Sequence, residues 1–324
     1  MVKNSSMFLF MFFMLIGILI SISSNNWILI WCGLEVSLIC FIPLMLNKNY
    51  ISSECSMKYF IIQSISSSIL VLSFLFMLMN VNFNFELLLI ISMMIKMGVA
   101  PFHNWVLNVI DGLDFFFLFI LLTLLKIPPL CILTYISLYL NIFVLMSLII
   151  GSISGLNQNS SIKILGYSSI FNMGFILSCL CINQIWLFYM LFYSLLIFMF
   201  IYLLKSMNLM YINQMIMNDF SINMKFIFFI NLLSMGGMPP LLGFMIKLII
   251  LEFMFMYKLY FLSFVMIMMS LIVMYFYIRL SFVSVMMYTF MLKNMLYNIN
   301  FNSLIILMLN LLLLPILFFM KFMF

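Results

Sequence analysis

The sequence predicts an all-α polytopic membrane protein. It is laid out as about eleven transmembrane helices: two inverted five-helix repeats, each with a broken helix, plus one C-terminal helix. Three observations predict it. Of the 324 residues, 68% are hydrophobic and 6% charged, where a soluble domain carries about 25% charged residues. The apolar runs follow one another with only short Asn-rich punctuation, so no polar linker divides the chain and it reads as a single membrane domain. Two of the runs are interrupted by glycine and proline with a lysine close by.

At about 20 apolar residues per crossing, the spans lie near 7–24, 27–46, 57–79, 86–110, 113–136, 139–156, 162–181, 184–205, 224–256, 258–286 and 303–323. The first repeat is then 1–138 and the second 139–287, with 288–324 supplying a loop and the last helix. The opening run is long enough to span and shows no small-residue cleavage site, so it reads as a first helix rather than a signal peptide. No Arg-rich amphipathic transit peptide is evident. Ala and Arg each occur once (Ala100 and Arg279) amid abundant Met, Phe, Ile and Asn, a bias that suits an organelle-made chain. Lys3, Lys48, Lys58, Lys205, Lys225 and Lys293 fall on the N-terminal side, with Lys163 close by, against Lys258 and Lys321 opposite. The positive-inside rule then puts the N-terminus in the cytoplasm or its organellar equivalent, the matrix, and the C-terminus on the other face.

Span four carries Lys96-Met-Gly-Val-Ala-Pro-Phe-His-Asn-Trp105, and span nine Leu233-Ser-Met-Gly-Gly-Met-Pro-Pro-Leu-Leu-Gly-Phe-Met-Ile-Lys247. Pro101 in the first and Pro239 and Pro240 in the second remove backbone donors, and Gly98, Gly236 and Gly237 permit the turn, so both helices should break there. Lipid cannot satisfy the freed groups, so each break must face protein or a wet cavity. Each break falls fourth in its five-helix unit. Five-helix units in series enter the membrane from opposite faces, and paired interrupted helices mark the ion path in transporters of that plan.

A lysine in mid-membrane costs about 2.5–3.5 kcal/mol on insertion scales, so each buried one needs a reason. Glu35, near the middle of span two, is the natural partner for Lys96. Pairing offsets part of the desolvation of both groups, and making or breaking the pair would switch the lysine between holding and releasing a proton. Lys126 precedes Pro128 and Pro129, where a third break is expected; snorkelling is the plainer alternative, made hard by its depth. Lys247 has apolar turns on both sides. His103, the chain's one histidine, and Lys163 are possible relay members, with packing or helix-end roles as the alternatives. Asp111 and Asp114 read as loop-end carboxylates. Met207 to Asn223 and Tyr288 to Asn302 read as interfacial loops.

The six cysteines show no CxxC spacing, which makes a zinc or iron–sulfur site unexpected, and no Gly-rich dinucleotide loop follows a strand. The net charge of +6 is too dispersed for a nucleic-acid surface.

Several blocks in order carry a resemblance. They are Ser23-Ser-Asn-Asn-Trp-Ile-Leu-Ile-Trp-Cys-Gly-Leu-Glu35, Phe41-Ile-Pro-Leu, Glu54-Cys-Ser-Met-Lys-Tyr-Phe60, the two broken-helix motifs, Gly155-Leu-Asn-Gln158 and Lys163-Ile-Leu-Gly-Tyr-Ser-Ser169. With them the chain resembles the NADH dehydrogenase subunit 2 family of mitochondrial complex I, an antiporter-like family. The resemblance implies proton movement across the inner membrane, coupled to electron transfer from NADH to ubiquinone in other subunits. It places the family's buried glutamate on Glu35, its broken-helix lysines on Lys96 and Lys247, and its central lysine on Lys126. It implies no cofactor on this chain, with NADH, FMN, iron–sulfur clusters and ubiquinone held elsewhere. The implied partners are other membrane-arm subunits, including the other antiporter-like ones, and lipid. The chain departs from the family pattern at Leu124-Leu125, where Trp-Gln is common, at Ile246 and Leu248 beside Lys247, and at Asn172, where a histidine is common. Two other readings stand beside this one: a structural spacer without its own proton path, and a free-standing cation/proton antiporter.

Overall fold

The computed structural model describes residues 5–46, 50–79, 85–136, 140–180, 185–211, 214, 222–286 and 310. The regular elements among them are helical, with one isolated antiparallel bridge between Ser160 and Tyr211. This is what a chain without access to water must do, since a helix satisfies its backbone groups within one segment. By internal contacts the chain divides into two units, Met1–Ser147 and Leu148–Phe324.

The first unit holds α1 (Ser5–Ser23), α2 (Trp27–Met45), α3 (Tyr50–Leu78), α4 (Phe85–Met97), α5 (Asn104–Ile110), α6 (Phe115–Leu122), a 3₁₀ turn (Leu124–Lys126) and α7 (Ile127–Leu133). Helix α8 (Leu140–Leu156) runs across the division. The second unit continues with α9 (Ser161–Leu180), α10 (Ile185–Met207), α11 (Ile222–Gly236), α12 (Leu242–Met256) and α13 (Tyr260–Met286). Among the described residues, seven helical stretches are long and apolar enough to cross a membrane: α1, α2, α3, Phe115–Leu133, α9, α10 and Tyr260–Phe282. The expected spans 86–110 and 224–256 are not in that number because each is cut in two, and α8 is one residue short at 17. The expected loop Tyr288–Asn302 lies outside the described residues, as does the expected span 303–323 apart from Asn310, and of the expected loop Met207–Asn223 residues 207–211, 214, 222 and 223 are described.

Outward-facing side chains are large and apolar; Phe8 is 79% exposed and Phe261 72%, a pattern that suits hydrocarbon and not water. Serines are handled locally. Along α3, Ser64, Ser66, Ser67, Ser68 and Ser73 each donate to the carbonyl three residues back, which satisfies the hydroxyls without solvent. Helices α1 and α2 approach at two glycines. A Cβ on Gly17 would lie 2.8 Å from the Ser37 nitrogen, and one on Gly33 2.7 Å from the Ser21 nitrogen. Small residues at such a crossing let membrane helices pack backbone to backbone, and this seats α2, which carries Glu35, firmly on α1.

Both expected helix breaks are present, and they share one hydrogen-bond pattern. At the end of α4, Gly98 has φ +67°; its N–H bonds to the Ile95 carbonyl (3.1 Å) and the Val99 N–H to the Met94 carbonyl (3.1 Å). At the end of α11, Gly237 has φ +90°; its N–H bonds to the Ser234 carbonyl (3.2 Å) and the Met238 N–H to the Leu233 carbonyl (3.1 Å). Each is a Schellman cap, in which a left-handed residue, almost always glycine, lets the chain turn back and cover its last carbonyls. The prolines follow the turn: Pro101 after Gly98, and Pro239 and Pro240 after Gly237.

The third break differs from expectation. Pro128 and Pro129 sit in the first turn of α7, and the irregular stretch is the Thr123–Lys126 segment ahead of them. Proline lacks an N–H, so the carbonyls four residues back, on Leu124 and Leu125, lose their α-helical donors. The chain tightens instead: Lys126 N–H bonds to the Thr123 carbonyl (3.2 Å) and Ile127 N–H to that of Leu124. A proline pair is well placed at a helix start, so here it begins a helix and disorders the turn before it.

Candidate functional site

In the first unit two lysines from two elements line one cavity, and a glutamate from a third element pairs with one of them. Lys96 lies in the last turn of α4 with its side chain 4% exposed, and its Nζ is 3.7 Å from Oε1 of Glu35 on α2. That is an ion pair just beyond hydrogen-bond length, and Oε1 is buried without a hydrogen bond among the described residues. Lys126, at the end of the 3₁₀ turn, is 3% exposed, and no hydrogen bond or ion pair to its ammonium is found among the described residues. Lys96 and Lys126 line one cavity with about 30 Å³ open to the centre of a water molecule, room for about two waters. Ser37, Tyr59, Gln63 and Trp105 add polar atoms to its wall.

Two residues that sequence reasoning gave no role hold this arrangement. Trp105, beyond the break on α5, donates from Nε1 to the Ile95 carbonyl (3.0 Å), which clamps α5 back onto α4. Gln63, on α3, donates from Nε2 to the Lys96 carbonyl (3.3 Å). The available signal for Gln63 was a lone amide in the middle of an apolar span. For Trp105 it was an indole N–H that a buried ring must satisfy.

In the second unit Lys247, on α12, is 7% exposed and donates from Nζ to the Gly236 carbonyl (2.9 Å) at the end of α11. The same ammonium lies 5.4 Å from the centre of the Phe171 ring, a favourable place for a desolvated cation. Gly243 is required beside it, because any Cβ there would overlap the Ser234 carbonyl. A second, smaller cavity of about 10 Å³ by the same measure is lined by Lys247, Asn172, Tyr189 and Tyr193. Asn172 is one of the positions where the sequence departs from the resembled family's pattern, and its Oδ1 accepts from the Tyr189 hydroxyl at 2.8 Å.

The remaining candidates stand apart from both cavities. His103 is in the bend after Pro101, with Nδ1 3.1 Å from the Pro101 carbonyl, and lines neither cavity. Lys163, in the first turn of α9, likewise lines neither. Asp111 and Asp114 mark the end of α5 and the start of α6.

Chemically, each unit offers a lysine at the C-terminal end of a half-helix, a wall of neutral polar groups and space for water, enclosed in apolar side chains. Such a place can hold, release and regain a proton.

Comparison with known proteins bears on this geometry. The sequence profile described as "NADH:quinone oxidoreductase/Mrp antiporter, TM" matches residues 24–274. The chain is 41% identical over 280 residues to the NADH-ubiquinone oxidoreductase chain 2 of Aedes aegypti, covering 81% of each. It is 38% identical over 264 residues to that of Locusta migratoria, covering 78% of this chain and 77% of the relative. Among solved structures, a chain of respiratory complex I from Thermus thermophilus superposes with a TM-score of 0.79 at 19% identity, over 88% of this chain and 71% of that one. A chain of the Mrp complex from Dietzia superposes with a TM-score of 0.76 at 14% identity, over 84% of this chain and 59% of that one.

Proposed function

The chain belongs to the NADH:quinone oxidoreductase/Mrp antiporter membrane family, and from that membership and its two lysine sites we propose that it translocates protons as an antiporter-like subunit in the membrane arm of respiratory complex I. The single observation that carries the proton path is that Lys96, paired with Glu35, lines the same cavity as Lys126. With Glu35 beside it, Lys96 holds its proton. When the pair is drawn apart the buried cation loses its counter-charge, a costly state, and its proton passes to water in the cavity that Lys126 also lines. Lys126, with no fixed partner among the described residues, is the acceptor free to take it. Lys247 performs the corresponding step in the second unit.

In this reading the two matching breaks are those of two inverted five-helix repeats within about eleven spans. The membrane is the mitochondrial inner membrane, with the N-terminus toward the matrix and the C-terminus toward the intermembrane space. NADH, FMN, the iron–sulfur clusters and ubiquinone are held by other subunits, which drive this one by conformational or electrostatic coupling. The neighbouring membrane-arm subunits and lipid are its partners.

The test is Lys96→Ala in the assembled complex. Coupled turnover and proton pumping into proteoliposomes should fall about tenfold or more, while the amount of assembled complex and electron transfer from NADH to a soluble acceptor persist. Pumping at the wild-type ratio in that variant counts against the assignment.

A further inference from the structure

The second unit contains a buried hydroxyl that the proton path as described does not use. Tyr193 is 2% exposed, its hydroxyl has no partner at hydrogen-bond geometry among the described residues although the Ser169 and Asn172 side chains lie beside it, and the residue lines the same cavity as Lys247. Burying a hydroxyl unpaired is unfavourable, so the group points to something that completes it. We propose that Tyr193, Asn172 and Tyr189 form a one-water site against Lys247, and that this water is the first carrier of the proton leaving that lysine.

The geometry supports a water in several ways. The cavity has about 10 Å³ open to a water centre, which is room for about one molecule. The Tyr189 hydroxyl donates to Asn172 Oδ1 at 2.8 Å, which fixes the amide and turns Nδ2, a donor, to the remaining side. Lys247 has three N–H bonds. One is on the Gly236 carbonyl, and the Phe171 ring face, 5.4 Å away, covers another side without a lone pair to accept. A water between Lys247 and Tyr193 would accept from Nζ and donate to the phenolic oxygen, with the Asn172 amide as a further donor.

The chemistry of the wall also matters. A tyrosine hydroxyl both donates and accepts, and an amide does not titrate, so the site keeps its hydrogen bonds in either protonation state of Lys247. On release, one N–H bond of the ammonium breaks and an O–H bond to the water forms. One of the water's own protons then leaves to the next water in the path, so the site is restored. The tyrosines and Asn172 are positioning residues and hold no proton themselves. This inference rests on the reading of Lys247 as a proton carrier.

The experiment uses the whole purified complex. A high-resolution map of the wild type should show a water within hydrogen-bond distance of both Tyr193 Oη and Lys247 Nζ, and the map of Tyr193→Phe should lose it. In proteoliposomes Tyr193→Phe should lower protons pumped per electron several-fold and enlarge the slowing of coupled turnover in D₂O. Electron transfer from NADH to a soluble acceptor should be unchanged. Tyr275→Phe, at an outward-facing tyrosine 62% exposed, is the control and should pump normally. Should Tyr193→Phe fail to assemble, Asn172→Leu carries the same expectation, since it removes a donor to the same water. No water in the wild-type map, or wild-type pumping in Tyr193→Phe, overturns the site. If Lys247→Met stops pumping while Tyr193→Phe retains it, the water site falls and the role of the lysine stands. If Lys247→Met pumps normally, the reading beneath the site falls with it.

Discussion

Lys247, on α12, donates a 2.9 Å hydrogen bond from Nζ to the carbonyl of Gly236, the last residue of α11. The ammonium therefore sits at the C-terminal end of a helix to which it does not belong. The Schellman turn covers the Leu233 and Ser234 carbonyls and leaves that of Gly236 to the lysine, at a helix end that carries about half a negative charge. Lys96 reaches an equivalent place by a different route, from within the last turn of α4. In both units a Schellman turn ends the first half-helix and a lysine lies at its negative pole. One lysine precedes the turn and the other follows it, which obscures the correspondence in the sequence.

Glycine at the two turns is thus a requirement of the site as well as of the fold. Gly98→Ala forces a β-carbon into a left-handed conformation, at about 1–2 kcal/mol, and overlaps Val106. The level of assembled complex should fall. Gly237→Ala carries similar strain, and in addition its new Cβ would lie 3.0 Å from Lys247 Nζ. The ammonium must then shift from the Gly236 carbonyl. Pumping per assembled complex should therefore fall in Gly237→Ala, measured as protons per electron in proteoliposomes.

The Glu35–Lys96 pair should show itself in a double-mutant cycle. Lys96→Met leaves the buried Oε1 of Glu35 without the one cation paired with it among the described residues, and Glu35→Gln leaves Lys96 unbalanced. Breaking one side of a buried pair is costly, whereas removing both is much less so. Assembly of the double variant should exceed that of the worse single variant, with a coupling of about 0.5–3 kcal/mol. The low end is favoured by the 3.7 Å separation and the 23% exposure of the Glu35 side chain. Simple additivity of thermal-inactivation midpoints would show that the two charges do not interact.

Trp105 separates the role of a hydrogen bond from that of a ring. Trp105→Phe gives up the Nε1 bond to the Ile95 carbonyl, worth about 0.5–1.5 kcal/mol, but that carbonyl still accepts from Gly98 N–H. Thermal stability should drop slightly and pumping should persist. Trp105→Ala also removes a buried ring beside the break, a change that typically costs about 3–5 kcal/mol, and should prevent accumulation of the complex.

Much of this site was legible in the sequence because membranes make polar residues conspicuous. A charge among apolar neighbours needs a counter-charge, which singled out Glu35 for Lys96. Glycine followed by proline cannot continue a helix, which located both broken spans. What could not be read depends on backbone geometry. Lys247 finds a carbonyl where a carboxylate would have been sought, and no side-chain pattern announces a carbonyl. The distortion at Pro128 falls on the residues before it, because the lost N–H is felt four positions back. That Lys96 and Lys126 open onto one cavity is a matter of packing among α2, α3, α4 and the 3₁₀ turn, which periodicity does not encode.

Lys126 gives the sharpest separation of stability from function. Its ammonium is buried, and no described group forms a hydrogen bond or ion pair with it, so the folded state bears its desolvation without return. Lys126→Met keeps most of the volume and flexibility of the side chain and removes that charge. If stability were the reason for the lysine, the variant would be harmed; instead it should assemble normally and resist heat as well as or slightly better than the wild type. Pumping should fall about tenfold or more, because the cavity it shares with Lys96 would retain a donor and lose the acceptor. Thermal inactivation and proton-to-electron ratio measured on the same preparation check both halves. A less stable variant that still pumps would mean that Lys126 is held by a partner outside the described residues and serves the fold.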